Sequence, residues 1–172
     1  MTDFFPHQFE APIEKFGVGK TKKIWYNVLF LPKELEVDLP FKTYPRLRVD
    51  GEIADVPIAN AFMPTGDERY YVIVSPNVLK SAKVGLGDTV EMRFRVADQD
   101  YVEVPEPLYK AVQRTEAIRE TWSGLTPGKQ RMLAQHVLSA KTDPTRQKRI
   151  KEAIEALMSH GADLRAWRKA KR

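Results

Sequence analysis

The amino-acid sequence predicts an α+β protein, with strands through residue 104 and helices from 105 to the end. Three observations carry that prediction. Runs rich in aromatic and β-branched residues, each stopped by a proline or a turn, recur in the first part. Apolar residues at three- and four-residue spacing, led by capping residues, take over in the second. The charge divides at the same place. Residues 1–104 hold 13 Lys/Arg and 16 Asp/Glu, a net of −3, and residues 105–172 hold 15 and 7, a net of +8 within a total of +5.

Bulk properties narrow the function classes. A chain of 172 residues, 42% hydrophobic and 30% charged, can bury a core without staples. It has no cysteine, which excludes disulfide and thiolate chemistry. The opening MTDFFPHQFEAP lacks the cationic-then-apolar pattern of an export signal. No stretch approaches the roughly 18 apolar residues of a membrane span. The cytoplasm is the expected compartment.

Residues 1–21 read as an N-terminal arm. Within it GVGKT, at 17–21, imitates the end of a phosphate-binding loop. Glu14 stands where that pattern needs glycine, and a strand rather than a helix follows, so the segment reads as a flexible loop.

Residues 22–104 read as a β-barrel domain. KKIWYNVLFLPKEL begins with a strand that Pro32 stops. RLRVDGEI puts Leu47 and Val49 on one face and Arg46 and Arg48 on the other. YYVIVSP is a further strand, ended by Pro76. PNVLKSAKVGLGD then gives a short helix and a turn, for which Gly85 and Gly87 can supply positive φ. DTVEMRFRV alternates, with Val90, Met92, Phe94 and Val96 inward.

Two local similarities point to an internal duplication. VLFLPKEL from Val28 matches VIVSPNVL from Val72, and RLRV from Arg46 matches RFRV from Arg93. Two related halves would close one small barrel without exposed edges.

Pro76 through Val90 resembles the helix-turn-strand unit of swapped-hairpin barrels in AbrB- and MazE-type regulators. More broadly, Trp25, Pro32, RVDGEI at 48–53, GDTV at 87–90 and VEVP at 102–105 resemble a barrel family of unknown function, often placed before a YdeI/OmpD-associated region. The resemblance implies a pseudo-symmetric double-split β-barrel closed within one chain. AbrB-type proteins build their DNA-binding face across a dimer, so that function is not carried over.

Residues 105–172 read as a C-terminal helical bundle. From PEPLYKAVQRTEAIRETW, Leu108, Val112, Thr115, Ile118 and Trp122 form one apolar stripe. Thr126 caps the next helix and Pro127 opens it, with Leu133, Val137 and Leu138 facing the core. Thr142 or Asp143 caps a third helix that Pro144 begins. Ile150, Ile154, Leu157 and Met158 form its apolar side, and Gly161 ends it.

The turn AKTDPTRQKRI, at 140–150, poses an electrostatic question, because cations at a helix start are unfavourable without a counter-charge. Lys141 continues the stripe of Val137 and Leu138, and Arg146 precedes Ile150 by one turn, so both should face inward. Lys148 and Lys151 read as solvated partners of Glu152 and Glu155. WSGLTPGKQR and SAKTDPTRQKRI, within 121–161, resemble the YdeI/OmpD-associated, or bacteriocin-protection, region.

Lys141, Arg146 and Arg149 are the candidate anion-binding residues, in a crevice at the barrel–helix seam. The competing expectation for the inward cations is a buried salt bridge to a barrel carboxylate. His7, His136 and His160 lack metal-ligand spacing, and His136 reads as structural. Asp98 and Asp100 form a D-x-D pair that could hold a cation or serve acid–base chemistry, or simply connect strands. The tail ADLRAWRKAKR interleaves Arg165, Arg168 and Lys169 with Trp167, a pattern for nucleic acid or for a frayed end. The resulting expectation is a non-enzymatic binding or stress-associated regulatory protein for an anionic small molecule or peptide, with no cofactor or metal. Nucleic-acid binding by the basic helices and an enzyme with a barrel-crevice site are the alternatives.

Overall fold

In the computed structural model, which describes residues 4–172, the chain divides into two compact units that meet in sequence at Gln99 and Asp100. The first runs β1 (His7–Pro12), β2 (Glu14–Val18), β3 (Ile24–Phe30), α1 (Lys33–Glu36), β4 (Leu47–Ile53), β5 (Val56–Pro64), β6 (Tyr70–Ile73), α2 (Pro76–Ala82) and β7 (Thr89–Val96). The second is helical, with α3 (Glu106–Val112), α4 (Glu116–Ser123), α5 (Pro127–Leu138), α6 (Asp143–His160) and α7 (Leu164–Ala170). The protein is thus mixed α+β, and no helix among the described residues is long and apolar enough to cross a membrane.

The strands form one antiparallel sheet in the order β1-β7-β4-β5-β6-β3-β2. Its two edge strands, β1 and β2, are separated in sequence by Ile13 alone. Neighbouring strands lie about 4.8 Å apart, so the edges of a flat seven-stranded sheet would stand roughly 30 Å from each other. A one-residue link cannot span that distance. The sheet therefore curls into a half-barrel. Ile13 is buried at the junction, where its N–H donates to the Asp88 carbonyl at 2.9 Å and its carbonyl accepts the Gly87 N–H at 2.8 Å.

Within the expected arm over 1–21, residues 7–12 and 14–18 are strands, and residues 1–3 lie outside the described residues. HQFEAP and EKFGV carry little apolar alternation, and they become strands by pairing with β7 and β3. GVGKT is part strand and part turn: Gly17 and Val18 end β2 in register with Trp25 and Ile24, and Gly19, Lys20 and Thr21 lie in the exposed turn to β3. β5, which the sequence did not announce, pairs along the whole of β4 from Leu47↔Phe62 to Ile53↔Val56.

Alternation on β4 and β7 builds the core as expected. Leu47, Val49, Ile53, Met92 and Phe94 are buried, and the Phe62 and Phe94 rings meet edge to face at 5.2 Å. Gly51 sits opposite Phe94, and a Cβ there would lie 2.1 Å from the Arg93 carbonyl oxygen. Around the α2 turn, Gly87 takes positive φ as expected, but the other left-handed residue is Lys83, the C-cap of α2, and not Gly85.

The duplicated segments pair with one another. β3 meets β6 through Val28↔Ile73 and Leu29↔Val72, two pairs that the repeat interchanges. β4 meets β7 through Val49↔Val96, residues that the second repeat maps onto each other, and the Ala97 N–H donates to the Arg48 carbonyl at 3.0 Å just beyond.

In the helical unit the single stripe expected from Leu108 to Trp122 is two helices. Thr115 leaves the helical conformation and its side chain caps Ile118 N–H, which starts α4. Leu133, Val137, Ile150 and Leu157 are buried with Leu108 and Val112, whereas Leu138 and Met158 are exposed. The tail is no frayed end. Asp163 caps α7, and Leu164 and Trp167 are buried in the same core.

Candidate functional site

The cationic turn between α5 and α6 is assembled from helix ends. Thr142 accepts the Thr145 N–H at 3.4 Å and sets the start of α6, as one of the two expected caps. Asp143 occupies the first turn, where the helix dipole favours a carboxylate, and it forms an ion pair with the guanidinium of Arg146. The counter-charge that the sequence demanded is therefore three residues back on the same helix. This pair lies at the surface, since Asp143 is 87% exposed.

Arg149 has a different anchor. Its Nη1 donates to the His136 carbonyl at 3.2 Å and to Ser139 Oγ at 2.6 Å. Ser139 is the C-cap of α5, so this guanidinium sits against the partial negative charge of a helix C-terminus. Lys141 is exposed, contrary to the expected inward orientation. The cause is local: α5 stops at Leu138, so the stripe of Val137 does not extend to position 141.

Arg146 and Arg149 are three residues apart on one face of α6 and only partly exposed. Among the described residues, each makes its hydrogen bonds through Nη1. Their remaining guanidinium N–H groups can still donate, as a fork, to a carboxylate or phosphate.

Behind this turn lies a polar network that the sequence did not reveal. His136 Nε2 is 2.8 Å from Glu152 Oε2, and Nδ1 is 3.5 Å from Arg168 of α7. The Trp167 indole N–H donates to Glu155 Oε2 at 3.1 Å, and Lys171 Nζ lies 3.0 Å from the same oxygen. The hydrogen bonds from Lys171 and then Trp167 hold the Glu155 carboxyl below its ordinary range. Glu152 and Glu155 are thus committed to His136, Trp167 and Lys171, in place of the expected pairs with Lys148 and Lys151. His136 bridges α5 to Glu152 of α6 and Arg168 of α7.

The other candidates are dispersed. His7 stacks on Phe94 at 5.1 Å, and His160 Nδ1 is 2.7 Å from Ser159 Oγ. The Asp98 carbonyl accepts from Arg48 at 3.1 Å, and Asp98 and Asp100 fall on opposite sides of the division between the units. Among the described residues, no group of three or more His, Cys, Asp or Glu side chains could hold a metal ion. Asp143 and Ser139 complete the site beside the expected cations. Their signals were present, as a carboxylate three residues before Arg146 and a serine after the last apolar residue of α5.

Two family models match the chain. Residues 9–94 match the one described as Domain of unknown function (DUF1905). Residues 101–160 match the one described as Bacteriocin-protection, YdeI or OmpD-Associated, which extends that resemblance back from position 121. No curated protein matches the chain.

Proposed function

The chain belongs to the DUF1905 family, whose model spans half of it, and from that premise we propose a non-enzymatic, stress-associated binding protein of the YdeI/OmpD-associated type. In this reading its first unit is a pseudo-symmetric double-split barrel that serves as scaffold. The pairing of β3 with β6 and of β4 with β7 supports that architecture. The helical unit carries the binding surface, and the ligand is an anionic small molecule or an acidic peptide held by Lys141, Arg146 and Arg149.

One observation carries the reading. Arg146 and Arg149 are pre-positioned by Asp143 and by the C-terminus of α5 while keeping donors for a ligand. A side chain already ordered loses less entropy on binding than a free one, so such a pair favours an anion more than two mobile arginines would. The surplus of 15 Lys/Arg over 7 Asp/Glu in residues 105–172 raises the local anion concentration.

Calorimetric titration of the full chain with tripolyphosphate and with an acidic peptide tests this. At low salt we expect saturable binding that weakens about tenfold or more in Arg146→Gln/Arg149→Gln, the loss of about 1.4 kcal/mol. Absence of heat, or equal binding by the variant, would overturn it.

The basic C-terminal helices are the weaker site for nucleic acid, because Trp167 is buried and offers no face for a base.

A further inference from the structure

We infer that the β2–β3 hairpin is a binding site for single-stranded nucleic acid, with Trp25 as the stacking platform and Lys15 and Lys23 as phosphate contacts beside it. The inference concerns the first unit and is independent of the anion site on α6.

The sequence of the hairpin, KFGVGKTKKIW from Lys15 to Trp25, contains four lysines and no acidic residue. All four are exposed, and among the described residues none forms an ion pair with a carboxylate. Antiparallel register sorts the side chains. Gly17 is opposite Trp25 and Lys15 is opposite Asn27, so Lys15, Gly17, Lys23 and Trp25 share one face. The other face anchors the hairpin to the sheet through Phe16, whose ring lies 4.9 Å from Tyr71 and 5.6 Å from Phe30.

Burial changes sharply along β3. On the Trp25 face Leu29 is fully buried, while Trp25, four residues before it, is 61% exposed. An indole in that setting ordinarily finds a hydrophobic neighbour, and here it uses the one residue without a side chain. A Cβ on Gly17 would lie 3.2 Å from the indole carbons and 3.1 Å from Lys23 Cδ. Gly17 thus seats the indole, and the Lys23 ammonium lies 5.8 Å from its ring centroid. The outcome is a fixed aromatic plane with lysines on both sides.

Unpaired bases need that combination, an exposed ring for stacking and cations for the backbone. Duplex bases have both faces covered by their neighbours, which makes a single strand the better ligand. A lipid surface fits less well. Ile24, also exposed, is adjacent to Trp25 in the strand and so points to the opposite face, leaving no single apolar side to insert.

The experiment measures fluorescence anisotropy of labelled oligo(dT) and oligo(U), about 15 nucleotides long, with the full chain. Binding should appear at low salt and fall steeply between about 50 and 200 mM. Trp25→Ala should weaken it about tenfold, and Trp25→Phe should restore most of the loss. Lys15→Ala/Lys23→Ala should reduce the slope of log K against log salt by about 1.4, or roughly 0.7 for each phosphate contact. Three outcomes overturn the inference: no binding at low salt, binding that survives both hairpin variants but is lost in Arg165→Ala/Arg168→Ala/Lys169→Ala, or hairpin-dependent binding to phosphatidylglycerol vesicles without binding to either oligonucleotide. Trp25 and the two lysines are exposed, so unchanged melting curves will show that the variants fold.

Discussion

Trp167 and Glu155 tie α7 to α6 through an indole N–H donated to a carboxylate oxygen at 3.1 Å, with Lys171 on the same oxygen at 3.0 Å. The carboxyl is held below its ordinary value of 4.5, chiefly by the Lys171 hydrogen bond and then by the indole. A depressed folded-state pKa stabilises the fold fully above the ordinary carboxylate range, and that contribution disappears as pH falls through the folded value. Glu155→Gln should therefore lower the melting temperature at neutral pH. The gap from wild type should narrow as pH falls below the ordinary carboxylate range and vanish once the folded carboxyl is protonated. Thermal melts followed by circular dichroism across that range check the prediction.

The two arginines of the α5–α6 turn should differ in what they contribute to stability. Arg146 pairs with an 87% exposed carboxylate on its own helix, and Arg146→Ala should cost only about 0.5 kcal/mol. Arg149 satisfies a carbonyl and a hydroxyl at the end of α5, and Arg149→Ala should cost about 1–2 kcal/mol. Urea denaturation of the two variants side by side will rank them, and a larger loss for Arg146 would contradict the assignment of partners.

Gly51→Ala should be among the most damaging single-methyl changes in the first unit. The added carbon would meet the backbone of β7, a neighbour that cannot rotate aside. We expect a loss of about 3 kcal/mol, at the upper end of overpacking costs, or failure to accumulate folded protein. Denaturant midpoints of purified protein measure it.

Leu157→Ala should open a cavity in the helical core, where the residue is buried with Leu133 and Ile150. The expected cost is about 2–5 kcal/mol. Hydrogen exchange read by mass spectrometry should show lost protection in α5 and α6.

How far the sequence disclosed this protein follows from where the information lies. β4 and β7 alternate cleanly and were legible, because their pattern is local. β5 was not, since VPIANAFMP mixes Pro57, Ala59 and Asn60 into a segment that becomes a strand through its partners on β4. β1 and β2 stayed hidden for the same reason. The helices of the second unit announced themselves by Thr126, Thr142 and Gly161, while the break at Thr115 was masked by an apolar spacing that runs through it. At the candidate site the identity of the cations was visible. The orientation of Lys141 was not, because it depended on α5 ending at Leu138.

The one-residue link between the edge strands has a consequence for how the protein is made. A ribosome releases Phe9 long before its cross-strand neighbour Met92 exists, so β1 emerges with its backbone groups unmatched while β2 can already zip onto β3. Closure waits until Thr89–Val96 slots between β1 and β4. Nascent chains stalled short of that segment would expose a raw strand to every chaperone and protease nearby, and those carrying it past the exit tunnel would not.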